Sequence, residues 1–501
     1  MKLNRRKTVF ASIMAGALLL AGCSAKSTNE AAQTQAAATV SAGSENTITL
    51  SGDSASCSNA NVTVDGGTIR ITGAGTYEIT GTLNDGMVIV DAGDEDDVEL
   101  VLNNANITSG TSAAIYIANC GDATVTLASG SENALSNGGS FVNIDDKNID
   151  GVIYSTEDLA LQGEGSLTVV SPAGHGVVSK DDLTVESGTY NITAASHGVS
   201  GKDELVLSGG TFTIAAAGDG VHADNDEDDT LGNLTISGGE YTITAGDDGL
   251  HASGNTVISA GTVTISESYE GVEGRTITIS GGAINVTAGD DGLNAAGGSD
   301  QSGAESFFGG NPFESDASAA ITISGGTLYV NSGGDGIDSN GSITMTGGQV
   351  FVSGPTNSGN GALDYGTTAA ISGGTIVAAG AAGMAENFSS AEGQGVMLVS
   401  TGAQAAGSTI QLTDASGNVL LTWEADKAFE CVLISTPDVQ QGSAYTLTAG
   451  SSTQTVEMTS AVYGGGMGMA QMGGMGQPGQ MGQMGGQPGQ MGGRPGGTGR
   501  P

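Results

Sequence analysis

Basic residues are scarce in this chain of 501: 13 Lys and Arg stand against 54 Asp and Glu, a formal net charge of -41. Nucleic acid and anionic membrane surfaces are thereby excluded as partners unless cations mediate, whereas a divalent metal or a metal-bridged acidic polymer suits the charge. Aromatics are few as well, with 9 Phe, 10 Tyr and a single Trp, so any core must be built from smaller side chains. Proline is rare and the 86 glycines keep no three-residue period, which rules out a collagen-like helix. Beyond Cys23 only Cys57, Cys120 and Cys431 remain; an odd trio allows one bridge at most and no disulfide scaffold. No apolar run of spanning length follows the N-terminal segment, so no later membrane helix is expected. Hydrophobic residues still make up 38%, too many for a chain disordered by charge.

What is present falls into an order along the chain. Lys2, Arg5, Arg6 and Lys7 precede an apolar stretch from Val9 to Leu20 that closes as Leu20-Ala21-Gly22-Cys23. This run resembles a bacterial lipoprotein signal with its lipobox. The resemblance implies removal of residues 1–22 and lipidation of Cys23. It also implies an exported protein on the extracellular side, held at the membrane through its N-terminal lipid only. Residues 23–45, rich in Ala, Ser, Thr and Gln, read as a flexible spacer. Cleavage would remove four basic residues and no acidic one, so the anionic character belongs to the exported part.

A repeat runs through the glycines. Val185-Glu186-Ser187-Gly188, Leu207-Ser208-Gly209-Gly210, Ile236-Ser237-Gly238-Gly239, Ile258-Ser259-Ala260-Gly261, Ile279-Ser280-Gly281-Gly282, Ile323-Ser324-Gly325-Gly326, Met345-Thr346-Gly347-Gly348 and Ile371-Ser372-Gly373-Gly374 recur at steps of 22, 29, 22, 21, 44, 22 and 26. A second signature keeps the same beat, from His175-Gly176-Val177 and His197-Gly198-Val199 through Asp219-Gly220-Val221, Asp248-Gly249-Leu250, Glu270-Gly271-Val272 and Asp291-Gly292-Leu293 to Asp335-Gly336-Ile337. Short alternating segments such as Thr211-Phe212-Thr213-Ile214 lie between the marks. One such unit cannot bury its own apolar face, but stacked units can. The pattern predicts an all-β, right-handed parallel β-helix of about 22 residues per coil, with about ten coils between residues 143 and 380 at roughly 4.8 Å each, a rod of about 50 Å. Residues 46–142 read as N-terminal coils and cap, 143–390 as the regular helix, 391–460 as a small C-terminal β cap, and 461–501, rich in Met, Gly, Gln and Pro, as a disordered tail.

Coils in register make residues 22 apart vertical neighbours. Asp219, Asp248, Glu270, Asp291 and Asp335 then form a carboxylate column, with Asp247, Asp290, Asp338 and Asp364 nearby. Like charges about 5 Å apart demand a counter-cation, and Ca2+ accepts several carboxylate oxygens in flexible geometry. The runs Asp91–Asp97 and Asp224–Asp229 lack EF-hand spacing and read either as solvated loops or as low-affinity calcium sites. The histidines are expected as two surface pairs, His175 with His197 and His222 with His251, too few donors for zinc. Lys180, Lys202 and Arg275 follow their turn hydrophobes by three positions and share an edge. They either balance neighbouring acids or form charge-assisted hydrogen bonds with carboxylates of an acidic sugar polymer. Two insertions, the acidic loop and residues 296–319 with Phe307, Phe308 and Phe313, leave one corner and mark it for recognition, the rings being suited to stacking on sugars.

Together the lipobox, the Ile-Ser-Gly-Gly and Asp-Asp-Gly-Leu repeats and the C-terminal segment resemble the bacterial carbohydrate-binding domain-containing proteins, a family with a calcium-containing parallel β-helix, over roughly residues 46–450. The resemblance implies calcium-dependent, non-catalytic binding of an acidic plant or microbial polysaccharide of the pectin or polyuronate type at the bacterial surface. A lyase using calcium and a Lys or Arg base, or an adhesive surface protein, are the alternatives that solenoid architecture leaves open. Acids beside each candidate base favour the charged ammonium and so weigh against the lyase. No oligomer is predicted.

Overall fold

Alternation of apolar and small polar residues sets the strands, and the repeat sets their stacking. In the strand Thr211–Ala216, Phe212 and Ile214 are buried while Thr211, Thr213 and Ala215 face out. Inward positions meet their own kind in the next coil: Tyr190, Phe212, Tyr241, Val263, Ile284 and Leu328 are successive partners in parallel ladders. A three-residue strand carries Val177, Val199, Val221, Leu250, Val272, Leu293 and Ile337 in the same way. A four-residue strand completes the coil with Val185, Leu207, Ile236, Ile258, Ile279 and Ile323. The result is a parallel β-solenoid of about 11 turns, as the period predicts. This computed structural model describes residues 44–144, 147–295 and 316–465. Cys23, the proposed spacer up to residue 43, Phe307, Phe308 and the chain from 466 onward lie outside the described residues.

The interior is a continuous file of Ile, Leu and Val, widened by rings where two coils match: Tyr190 on Phe212 at 4.7 Å and Phe212 on Tyr241 at 5.1 Å between centroids. That spacing is the strand repeat itself, so stacking adds to burial without distorting the ladder. Among the described residues no helix is long and apolar enough to cross a membrane, and Cys57, Cys120 and Cys431 are free thiols.

The Gly-Gly corner is required twice over. Gly282 has φ +84, left-handed territory that costs an L-residue about 1–2 kcal/mol. Its neighbour Gly281 has room for hydrogen only, because a Cβ there would run into the carbonyl oxygen of Ser259 in the coil below. Gly281→Ala is expected to lower the melting temperature more than Gly282→Ala, since the first must separate two coils, whereas the second adds to its dihedral strain only a milder approach, 2.9 Å from its Cβ to the Gly261 carbonyl oxygen. Thermal melts of the two variants decide this; a smaller shift for Gly281→Ala contradicts the close approach.

Both described ends of the ladder are closed by antiparallel pairs. At the N-terminal side Thr47–Gly52 turns back on Ser54–Ser56, and Val62–Asp65 on Thr68–Ile71. At the other, Phe429–Ser435 runs antiparallel between Thr368–Gly380 and Val396–Gln404. A separate antiparallel sheet of Val419–Glu424, Thr409–Asp414, Ala444–Ala449 and Ser452–Glu457 follows. It shares a second core with the rod's end through Val377, Met397, Ile410, Leu412, Val432, Ile434 and Leu447. Reversing direction denies another chain the open parallel edge.

Candidate functional site

The three-residue strands align the turns before them, and the turn residues bond coil to coil. His175 Nδ1 accepts the backbone N–H of His197 at 3.2 Å, and His197 Nδ1 that of Asp219 at 3.0 Å. Asp219 Oδ1 accepts from Asp248 at 2.9 Å, and Asp291 Oδ1 from Asp335 at 2.6 Å. Asp335 Oδ1 accepts from Gly361. The position therefore asks for a compact acceptor, which Asp and neutral His both supply. This is why histidine and carboxylate exchange along one column. Three residues further on a second column runs Ser200, His222, His251, Glu273, Asn294, Asp338 and Asp364, with Glu273 joined to His251 by side-chain contact.

The two columns lean together, and this corrects the expected histidine pairs. His175, His197, His222 and His251 form one continuous stack, with centroids 4.8, 4.0 and 5.1 Å apart. Register alone pairs His222 with His251; His197 reaches His222 across columns because both side chains leave the same face. Nor are these surface groups: His251 is buried and the other three are largely covered. Burial pushes His175 down to about 3 and His222 well below its usual value, the neighbouring His197 adding to both. His251 goes the other way. Burial alone would lower it, but hydrogen bonds to Asp248 and Glu273 hold it well above the ordinary imidazole range.

Towards the C-terminus the histidines end and, Asn294 apart, both columns carry carboxylic acids. Burial, then Glu273 and Asp248, push Glu270 up to about 9. Burial, then Asp335 and Asp290, push Asp291 up to about 8, and burial chiefly raises Asp335 to about 7. Asp338 rises well above the carboxylate range by burial and by Asp291 and Asp335, and burial raises Asp364. One oxygen each of Asp291, Asp335 and Asp338 lies within 4.8 Å of the others, and a second such group joins Asp219, Asp247 and Asp248. Gly334 sharpens the first group: a Cβ there would collide with Oδ1 of both Asp290 and Asp291, so two carboxylates converge on the space the glycine leaves. Asn294 donates to Glu270 Oε2 at 2.8 Å, while its own buried Oδ1 has no hydrogen-bond partner.

Lys180 and Lys202 line one cleft with His175, His197, His222, Asp224 and Asp226. Arg275 lines the next, beside the Asp224–Asp229 loop. Each cation is engaged. Lys180 Nζ lies 3.6 Å from Asp150 Oδ2, Lys202 Nζ donates to Glu227 Oε2 at 2.8 Å, and Arg275 donates to the carbonyls of Asp229 and Ser253. The Glu227 hydrogen bond raises Lys202 above its ordinary value. Three features went unread in the sequence. Glu273 and Asn294 sit three positions after their turn residues, as His251 does, so register was the available signal. Lys427, lowered by burial to about 8 and donating to the Ser332 carbonyl, had none. The stack of half-exposed Tyr329 on Phe351 at 4.9 Å, with Trp423 tilted 6.0 Å beyond, joins the rod's outer face to the antiparallel sheet.

The model of the carbohydrate-binding domain-containing proteins matches residues 65–306. A carbohydrate-binding domain-containing protein of Acetivibrio thermocellus is 31% identical over 193 residues, covering 38% of this chain and 65% of that relative. The match thus spans 65% of the relative's own length. Among solved structures, the polysaccharide lyase-like protein from C. thermocellum, a gadolinium derivative, is 29% identical with a TM-score of 0.43, covering 48% of this chain and 92% of that one. Residues 65–306, which carry the ladder from His175 to Asp291, are therefore similar to the carbohydrate-binding domain-containing proteins, and Asp335, Asp338 and Asp364 extend the same ladder beyond the matched segment.

Proposed function

We propose that the acidic ladder holds calcium and through it binds the carboxylates of a polyuronate-type polysaccharide without cleaving it. The observation that carries the reading is the convergence of Asp291, Asp335 and Asp338, with the Asp290 and Asp291 oxygens crowding the space beside Gly334. The donor set fits: hard oxygens only, on flexible carboxylates, in a place where burial and mutual repulsion oppose further negative charge. Glu270 and Asp364 flank this group, and Asp219, Asp247 and Asp248 offer a second one. Bound calcium supplies the positive charge that makes an acidic glycan tolerable on so anionic a rod. Lys180, Lys202 and Arg275 border the same corner and are placed to meet sugar carboxylates by exchanging their present acidic or carbonyl partners. At Lys202 the chemistry favours binding over lysis, because the Glu227 hydrogen bond that raises it keeps its ammonium charged and unfit to take a proton. Lipidation at Cys23 would hold the rod at the outer face of the membrane, where such polymers are met.

Passage over immobilised polygalacturonate tests the reading. Retention in millimolar calcium and elution by EDTA is the expected result. Equal retention in both, or none in either, sinks it, and appearance of unsaturated product would replace binding by lysis.

A further inference from the structure

The histidine end of the ladder differs in donor chemistry from the all-oxygen end. We propose that Asp248, His251 and Glu273 form a separate site for a divalent transition metal of the zinc class. His251 Nδ1 lies 3.2 Å from Asp248 Oδ2 and 2.6 Å from Glu273 Oε2, so one nitrogen and two oxygens already face a common point. All three side chains are more than nine-tenths buried, at 2%, 7% and 3% exposure for Asp248, His251 and Glu273. Asp248 Oδ1 is buried with no hydrogen-bond partner, a cost that a cation would remove.

Charge points the same way. Two ionised carboxylates beside one imidazolium would carry a net negative charge, which burial opposes. A divalent ion on two carboxylates and a neutral imidazole leaves none. One imidazole with two carboxylates suits zinc, cobalt or manganese, whereas calcium takes oxygen. A cleft of roughly 180 Å³, lined by Asp248 and His251 together with His197, Asp219, His222 and Asp247, provides entry and a solvent ligand for the fourth position. The backbone holds the ligands: Asp219 Oδ1 accepts the N–H of Asp248, and Thr256 Oγ1 donates to the Glu273 carbonyl at 2.8 Å. The neighbouring trio of His197, Asp219 and His222 is the weaker candidate. Its rings lie face to face, 4.0 Å apart at 8°, so an ion in the plane of one is far out of the plane of the other.

The site stands apart from the calcium reading, since Asp248 alone is named in both. The test is a titration of the full chain with Co2+ in millimolar calcium, read in the visible spectrum, followed by displacement with Zn2+. A saturable band of tetrahedral intensity that zinc abolishes is expected. It should weaken by at least about 100-fold in His251→Gln, the upper end of what losing a mere supporting group costs. Glu273→Gln, which keeps the side chain's size and hydrogen bonding, should act likewise if the first variant folds poorly. The band should survive Asp291→Asn. No saturable band, a band untouched by both substitutions, or equal loss in Asp291→Asn overturns the proposal; failure of the unsubstituted chain to bind calcium, with the cobalt band intact, counts against the calcium reading only.

Discussion

Asp291→Asn combined with Asp335→Asn is expected to raise the melting temperature of the chelated protein while abolishing the stabilisation that calcium gives the unsubstituted chain. Both consequences come from one geometry. Asp291 and Asp335 each accept a backbone N–H from the next coil, and the carbonyl oxygen of asparagine accepts equally well, so the coil-to-coil bond is retained. What is lost is charge, in a group where burial and neighbouring carboxylates hold both acids up, Asp291 at about 8 and Asp335 at about 7. Above those values the metal-free ladder carries mutual repulsion, and removing two charges should return about 1–3 kcal/mol. Calcium present at a hundred times its dissociation constant would add about 2.7 kcal/mol to the native chain and nothing to a variant that cannot bind it. Calorimetry at pH 9, with EDTA and with calcium, reads both effects. A double variant that keeps its calcium gain removes Asp291 and Asp335 from the site.

The second large effect is on pH. In EDTA the unsubstituted protein is expected to lose stability as pH rises from 7 to 10, and in calcium this loss should vanish or reverse. Glu270, Asp291 and Asp335 titrate at about 9, 8 and 7 when folded, against ordinary values of 4.5, 3.8 and 3.8. The folded chain therefore binds more protons than the unfolded one. That contribution is complete below the unfolded values and disappears as pH climbs through the folded ones. A tenfold difference in proton affinity between the folded and unfolded chain corresponds to about 1.4 kcal/mol. The groups share their repulsion, so about 2 kcal/mol in total between pH 7 and 10 is a fair magnitude, or several degrees in melting temperature. His175 and His222 act oppositely, since their folded values are lowered; their contribution is present above about 6.5 and is lost below it. Calcium bound as proposed would hold the ionised carboxylates and so favour the very state that rising pH creates. Parallel pH slopes in EDTA and calcium would falsify the assignment of these acids to calcium.

The solenoid was legible because its determinants are local and periodic. Ile279-Ser280-Gly281-Gly282 marks a corner whose last position takes a positive φ and is glycine in every copy, and a 22-residue step between such corners leaves stacking as the way to bury Val, Ile and Leu. The first acidic column followed from the same beat. The second was harder: Glu273 and Asn294 are ordinary strand residues until register places them beside His251 and Asp338. The single histidine stack was out of reach, because it depends on which way side chains of neighbouring columns lean, and spacing along a chain carries no such information. Lys427 shows the limit most clearly. Its partner Ser332 is 95 positions away, brought near by an antiparallel segment that breaks the period.

The turn acceptors His175, His197, Asp219, Asp291 and Asp335 have a consequence for how such a rod changes length. A coil of this kind carries its own side-chain acceptor for the coil above and its own N–H for the coil below. Copying about 22 residues would copy the seam along with the body, and deleting them would join two surviving seams that already match. Tandem duplication can therefore lengthen the edge of histidines and carboxylates one step at a time without any new interface having to arise. The exchange of His for Asp along that edge shows how a copied step, once in place, is free to change the chemistry it presents.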